Sequence, residues 1–245
     1  MATKALKVWA AAAALGAGVL AGCGSGGGEA MIDPGDGGEY GPVIEPSAFV
    51  ADIDHPYLPL TPGSRWVYEG VEDGGSERVE VVVTGERREV MGVSTVVVQD
   101  RVFEDGELVE DTADWFAQDA EGNVWYFGED SKELEDGEVV STEGSWEAGV
   151  DGALPGIVML ANPAVGEAYR QEYSAGEAED VAEVAEVMAS ASVPAGDFSE
   201  VLVIREWNPL EPDVVEEKHH APGVGVVLEF IVEGGEGRIE LIEQS

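Results

Sequence analysis

Short runs of valine and aromatic residues, cut at close intervals by an acidic residue beside a glycine, constrain this chain more than any other feature. In Glu77 to Thr84, Val79, Val81 and Val83 fall on one face of an extended backbone and Glu80 and Thr84 on the other. A helix would scatter that set around its axis, whereas a strand with one face in a core and the other in water requires it. Comparable runs span Arg65 to Val71, Ser94 to Phe103, Leu108 to Gln118, Val124 to Gly128, Glu138 to Thr142, Ala168 to Ser174, Glu200 to Trp207, Val214 to His220, Gly225 to Val232 and Arg238 to Ile242. Between them lie Asp73-Gly74-Gly75, Asp105-Gly106, Glu121-Gly122-Asn123, Asp136-Gly137 and Gly234-Gly235. These residues tolerate the positive φ that tight hairpins demand. The pattern predicts an all-β domain, an antiparallel meander forming a partial barrel or curved sheet, with limited helix. Two stretches are less direct. Glu179 to Val193 carries Val181, Val184 and Met188 at helical spacing but ends in the extended-looking Ser190 to Pro194; a long strand is favoured, with a helix as the alternative. Trp146 to Gly166, broken by Pro155 and Pro163, reads as a long ordered loop with one helical turn at Ile157 to Leu160.

The first residues concern where such a domain resides. Met1 to Lys7 carries two lysines and no acid, and Val8 to Leu20 is an apolar run of about 13 residues, short of the roughly 20 that span a bilayer. It is read as a signal peptide covering residues 1–22. Leu20-Ala21-Gly22-Cys23 then matches the bacterial lipobox, in which the cysteine thiol receives diacylglycerol. Cys23 is the single cysteine of the chain, so no intramolecular disulfide is open to the fold. Two or three acyl chains give durable attachment where one gives marginal binding. Residues 23–46, rich in glycine and acid, read as a flexible lipid-anchored tether, and 47–245 as one domain. The location implied is extracytoplasmic, on the cell membrane or the outer membrane, with the membrane itself as the partner of Cys23.

The charge excludes some partners. Loss of Lys4 and Lys7 with the leader reduces 12 basic residues to 10 against 51 acidic ones, a formal balance of −41. Such a surface repels nucleic acid and anionic headgroups. With 44% hydrophobic residues a core is nonetheless attainable. An acid excess with so few lysines suits a saline habitat, and its alternative use is the capture of divalent cations.

Candidate sites are few. Asp119-Ala120-Glu121-Gly122-Asn123 sets oxygen ligands at alternate positions, part of a calcium loop, although the apolar Val124 to Phe127 that follows at once favours a hairpin turn. His55, His219 and His220 are the histidines; a transition-metal site would draw on His55 and His219 with nearby carboxylates. His219 and His220 face opposite ways on a strand and do not chelate together. No cofactor is called for otherwise, and Ca2+ is the alternative. Trp66, Trp115, Trp125, Tyr126, Phe127 and Trp207 either fill the core or line a concave face suited to an apolar ligand. No nucleophile elbow, zinc-protease helix or phosphate-cradling loop is present, so a non-enzymatic role is expected.

Asp54-His55-Pro56-Tyr57-Leu58-Pro59-Leu60-Thr61-Pro62-Gly63, Gly122 to Glu129, Gly144-Ser145-Trp146-Glu147-Ala148-Gly149 and Ala221-Pro222-Gly223-Val224-Gly225 together resemble a family of bacterial secreted proteins and lipoproteins of unknown function. The resemblance covers most of Phe49 to Ile242 and implies a shared fold, with no mechanism attached. In architecture alone, a lipid-tethered antiparallel sheet is similar to the half-open barrels of periplasmic lipoprotein carriers, whose concave face holds acyl chains. The function expected is a membrane-anchored lipoprotein binding an apolar ligand or a protein partner on its curved sheet, with divalent-cation binding as the alternative.

Overall fold

Alternating valines and glycine turns produce the expected antiparallel sheet. A computed structural model describes residues 40–72 and 74–245. A single 3₁₀ turn, Pro46–Ala48, is the helical content of these residues. A small hairpin, β1 (Asp54–His55) and β2 (Leu58–Pro59), precedes β3 (Arg65–Glu72), β4 (Gly75–Val90), β5 (Val93–Glu104), β6 (Glu107–Gln118) and β7 (Val124–Asp130). Then come β8 (Glu133–Glu135), β9 (Glu138–Ser141), β10 (Trp146–Glu147), β11 (Leu154–Met159), β12 (Ala168–Arg170) and β13 (Glu172–Tyr173). The last five are β14 (Val181–Val193), β15 (Gly196–Trp207), β16 (Val215–Ala221), β17 (Gly225–Glu233) and β18 (Gly237–Gln244).

Sixteen of these strands form one sheet, along the path β12-β14-β15-β16-β17-β18-β3-β4-β5-β6-β7-β11-β13, with β8, β9 and β10 branching from it. Two meanders, β3 to β7 and β14 to β18, are thus joined where β18 pairs with β3. The path's end strands, β12 and β13, are separated in sequence by Gln171 alone. One extended segment therefore pairs with β14 through its first half and with β11 through its second, and the sheet curls until its ends meet without closing into a barrel. Gly156 sits at this seam, and a Cβ there would overlap the backbone of Gln171.

The turns follow their residues. Asp105-Gly106 has φ of 48° and 88°, and Asp136-Gly137 has 53° and 79°, the two positive angles of a two-residue hairpin loop matched to strand twist. Two expectations differ from the outcome. Residues 154–159 are strand β11 against β7, not a loop with a helical turn at Ile157 to Leu160. Pro155 and Gly156 hid the strand, yet β11 tolerates them because it runs along the seam, where proline lacks a ladder donor and glycine permits close approach. Residues 181–193 form strand β14 as favoured over a helix, and register shifts from Val184 to Ser190 explain the helical look of the valine spacing. Met188, at φ 63°, is turned into solvent.

Tyr68, Tyr126, Tyr169, Phe116, Phe127, Leu58, Leu60, Ile157, Met159, Leu202 and Ile204 are the largest fully buried side chains. Tyr40, at the far end of the stretch read as tether, donates from its hydroxyl to the Pro155 carbonyl at 2.7 Å and packs near Tyr173 at the seam.

Candidate functional site

The space between β6 on one side and β15 and β16 on the other is bridged by a strap, the proline-rich motif of residues 54–63. The β1–β2 hairpin that folds it is held on several sides. The Gln118 side chain at the end of β6 accepts from the Asp54 N–H and donates to its carboxylate, at 3.0 and 2.8 Å. His55 pairs through Nε2 with the Leu160 carbonyl at 3.0 Å, and its Nδ1 accepts from the Tyr57 N–H at 3.1 Å. On the opposite side, Gly223 N–H donates to the Pro56 carbonyl at 2.7 Å and His220 Nδ1 pairs with the Tyr57 carbonyl at 3.3 Å. Tyr57 donates from its hydroxyl to the Glu200 carbonyl at 3.1 Å. Ile53, Leu58 and Leu60 are buried beneath. Burial lowers the pKa of both His55 and His220, the latter to about 3, with the positive charge of Lys218 adding to the effect at His220.

A second gap is closed by side chains. β17 and β18 pair only over Leu228 to Phe230 and diverge beyond. The Trp66 indole N–H reaches the Val224 carbonyl at 2.8 Å, and the Tyr68 hydroxyl reaches the Val226 carbonyl at 3.0 Å, satisfying acceptors that β18 leaves behind.

Inside the curl lies an unusual set of buried carboxyl groups. Glu77, Asp100, Glu110, Asp114, Glu129, Glu172, Asp180 and Glu229 are all buried. Two cations are buried with them, Arg170 near the seam and Lys218, which is bonded to Glu206 at 2.7 Å and lies directly across the ladder from Glu229. Burial opposes the charge of Lys218, but Glu206, Glu229 and Glu216 outweigh it and hold its pKa above the ordinary lysine value. Burial raises the pKa of Glu229, with Lys218 pulling the other way and Glu216, Glu206 and Glu77 reinforcing the rise. Near the seam, burial raises Glu172 as well, aided by the charges of Asp180 and Glu129 and opposed by the Trp146 indole, which donates to it at 2.8 Å. Burial thus favours the neutral, proton-bearing form of Glu172 and of Glu229. Sequence reading passed over them because acids are everywhere in this chain. Lys218 was the available signal: it shares the inward alternation of His220 in a chain nearly devoid of lysine.

Of the residues singled out from sequence, Asp119, Asn123 and Trp125 are brought together by hydrogen bonds. Asp119 is a loop staple: Oδ1 accepts from the N–H groups of Glu121, Gly122 and Asn123 at 2.9, 2.8 and 2.9 Å, and Oδ2 from Asn123 Nδ2 and Trp125 Nε1 at 2.9 and 2.8 Å. Glu121 points to solvent. His55 is in the strap, and His219 faces outward against Phe230, opposite His220. Among the described residues no group of three or more His, Cys, Asp or Glu is arranged to hold a metal ion. Trp66, Trp115, Trp125, Tyr126 and Phe127 are 3%, 4%, 4%, 1% and 0% accessible, so they are spent on packing, while Trp207 is half-buried. Trp115 is capped by the Arg88 guanidinium at 3.9 Å, and Tyr126 donates to Asp114 at 2.6 Å. Cys23, with Leu20, Ala21 and Gly22, lies outside the described residues.

No protein-family model matches the chain, and no curated protein does. Among solved structures, a provisionally named exported protein of YmcC-like fold from Bacteroides fragilis aligns over 77% of this chain and 98% of its own, with 16% identity and a TM-score of 0.46. A provisionally named lipoprotein from Parabacteroides distasonis aligns over 77% and 98%, with 13% identity and a TM-score of 0.44.

Proposed function

We propose that the chain is a lipid-anchored extracytoplasmic protein without enzymatic activity, displayed on an acidic tether and binding a protein partner on the outer surface of its curled sheet. The observation that carries the anchoring is Leu20-Ala21-Gly22-Cys23 directly after a short apolar run. Two features favour a partner on the outside over an apolar ligand held within. Five of the six aromatic side chains suited to lining a cavity, all but the half-buried Trp207, are 4% accessible or less, and the β1–β2 hairpin is bonded to β6 on one side and to β15 and β16 on the other. Glu172, Glu229 and Lys218, three of the ionisable groups whose pKa values are displaced, are likewise buried.

Cys23→Ser tests the anchor. Wild-type protein is expected in the membrane fraction and the variant in the soluble extracytoplasmic fraction; equal membrane retention contradicts the reading. Native mass spectrometry of the variant tests the remainder, because a stoichiometric copurified lipid would restore the apolar-ligand reading and a bound metal ion the cation one.

A further inference from the structure

Two of the three histidines of the chain hold the strap, one from within it and one from the facing wall. Among the described residues the strap's β1 and β2 pair only with each other and share no ladder with the sixteen-stranded sheet. Its flanks are pinned, the Val50 N–H on the Gln118 carbonyl at 2.9 Å and the Gly63 N–H on the Val83 carbonyl at 2.8 Å. Between those pins it is held by the few bonds described above, and a segment so attached opens at lower free energy than the strands around it.

The backbone of Tyr57 lies between the two imidazoles, its N–H on His55 Nδ1 at 3.1 Å and its carbonyl on His220 Nδ1 at 3.3 Å. These contacts fix the state of His55. Because Nδ1 accepts from Tyr57, the ring proton sits on Nε2 and donates to the Leu160 carbonyl at 3.0 Å. A second proton can go only to Nδ1, where it would meet the Tyr57 N–H donor against donor and break the bond that shapes the β1–β2 turn. His220, entering from β16, donates from Nδ1 to the Tyr57 carbonyl. The rings are 3% and 4% accessible, so water cannot ease a charge on either. Burial is the largest influence on both and disfavours protonation. The Leu160 and Ala161 backbone and Asp54 favour a proton on His55. Lys218, His55 and His219 disfavour one on His220, and the Tyr57 backbone favours it.

We propose that residues 53–60 form an acid-released strap: protonation of His55 ejects Tyr57 from between the two rings, and the hairpin swings out on its pinned flanks. Release uncovers the apolar undersides of Ile53, Leu58 and Leu60, which are 2%, 1% and 1% accessible when the strap is closed. In the open form the imidazoles regain their ordinary affinity for protons, whereas in the closed form it is lowered. The closed state is therefore favoured above 6.5 and is lost as pH falls below that value. Each histidine can raise the open population by up to about tenfold per pH unit in that window.

The test is hydrogen exchange by mass spectrometry on the mature lipoprotein in neutral detergent micelles at pH 7.5 and 5.5, corrected for intrinsic rates. Exchange at the imidazole C2–H of His55, followed across the same range, reports its titration. Protection of residues 53–60 is expected to fall by about tenfold or more, while residues 79–83 of β4 keep theirs. His55→Asn offers the Tyr57 N–H an oxygen that does not titrate and should remove about tenfold of that response, whereas His220→Gln should leave the share of His55 in place. Strap protection that is the same at both pH values overturns the proposal. So does a parallel loss at 79–83, which marks global unfolding, and so does an undiminished response in His55→Asn. If that variant does not fold, the wild-type ring decides alone: a His55 midpoint below 6.5, falling in step with strap protection, supports the switch, and one at or above 6.5 overturns it.

Discussion

Replacing Asp119 by asparagine separates a structural staple from a calcium ligand. The carboxylate receives five hydrogen bonds, three from backbone N–H groups on Oδ1 and two from the Asn123 amide and Trp125 indole on Oδ2. An asparagine that keeps its carbonyl oxygen toward the backbone donors retains three bonds in weaker, uncharged form. Its NH2 group then faces two donors, and Asn123 and Trp125 are both buried, so two N–H groups lose their acceptor out of reach of water. Each such loss costs roughly 1–3 kcal/mol, which puts the substitution at about 3 kcal/mol and alanine somewhat higher. For a domain near 200 residues that corresponds to a fall of about 6–12 °C in the melting midpoint. Urea and thermal unfolding of the Cys23→Ser protein and its Asp119→Asn derivative measure it. The wild-type midpoint should respond alike to calcium chloride and to sodium chloride at matched ionic strength. A loss under about 1 kcal/mol, or a specific calcium stabilisation that Asp119→Asn abolishes, would refute the reasoning.

The buried ionic groups make three further predictions testable by unfolding. Glu206→Gln removes the carboxylate bonded to Lys218 at 2.7 Å and should cost about 3 kcal/mol, since the buried ammonium loses its bonded counter-charge while Glu229 and Glu216 still act on it. Glu229 has a pKa raised above its ordinary 4.5, so the stability it contributes is fully present below that value and is lost as pH rises through the folded pKa. Glu229→Gln fixes the neutral form, and its urea midpoint should decline less than wild type from pH 5 to pH 8; a parallel decline contradicts the assignment. His220 has the opposite sign: its pKa falls from 6.5 to about 3, so stability present above 6.5 is lost as pH drops through that window. His220→Gln should flatten the acid limb of a melting-temperature profile, and an unchanged limb would count against it. At the seam, Gly156→Ala must displace the Gln171 backbone and should cost about 1–3 kcal/mol, read from denaturant unfolding; a neutral result would mean the two sheet ends do not abut there.

Much of the architecture was legible because its physics is local. Val79, Val81 and Val83 alternate as strand residues must, and Asp105-Gly106 and Asp136-Gly137 carry the turn geometry in their own φ preferences. What escaped depends on distant partners. Leu154–Met159 looks like a loop until β7 and β13 supply its pairing, and Glu86 to Val90 looks like a polar connection until it extends β4 alongside Thr95. Met91-Gly92 turns that hairpin with positive φ at a methionine, a choice no turn rule selects. Asp119 drew notice as an oxygen ligand in a short acidic loop, and the same oxygens instead collect N–H donors. Glu229 and Glu172 were invisible among 51 acids, because burial depends on which face of which strand an acid occupies. The motif of residues 54–63 was visible as a resemblance, but its work as a strap becomes plain only where β6, β11, β15 and the β16–β17 turn converge on it.

The most direct measurement is the mass and composition of the mature N-terminal peptide isolated from the native membrane. If the account holds, that peptide begins at residue 23, and its sulfur carries glycerol esterified with two fatty acids, released as a diacylglycerol fragment. A peptide beginning elsewhere, or one beginning at residue 23 with an unmodified thiol, contradicts it.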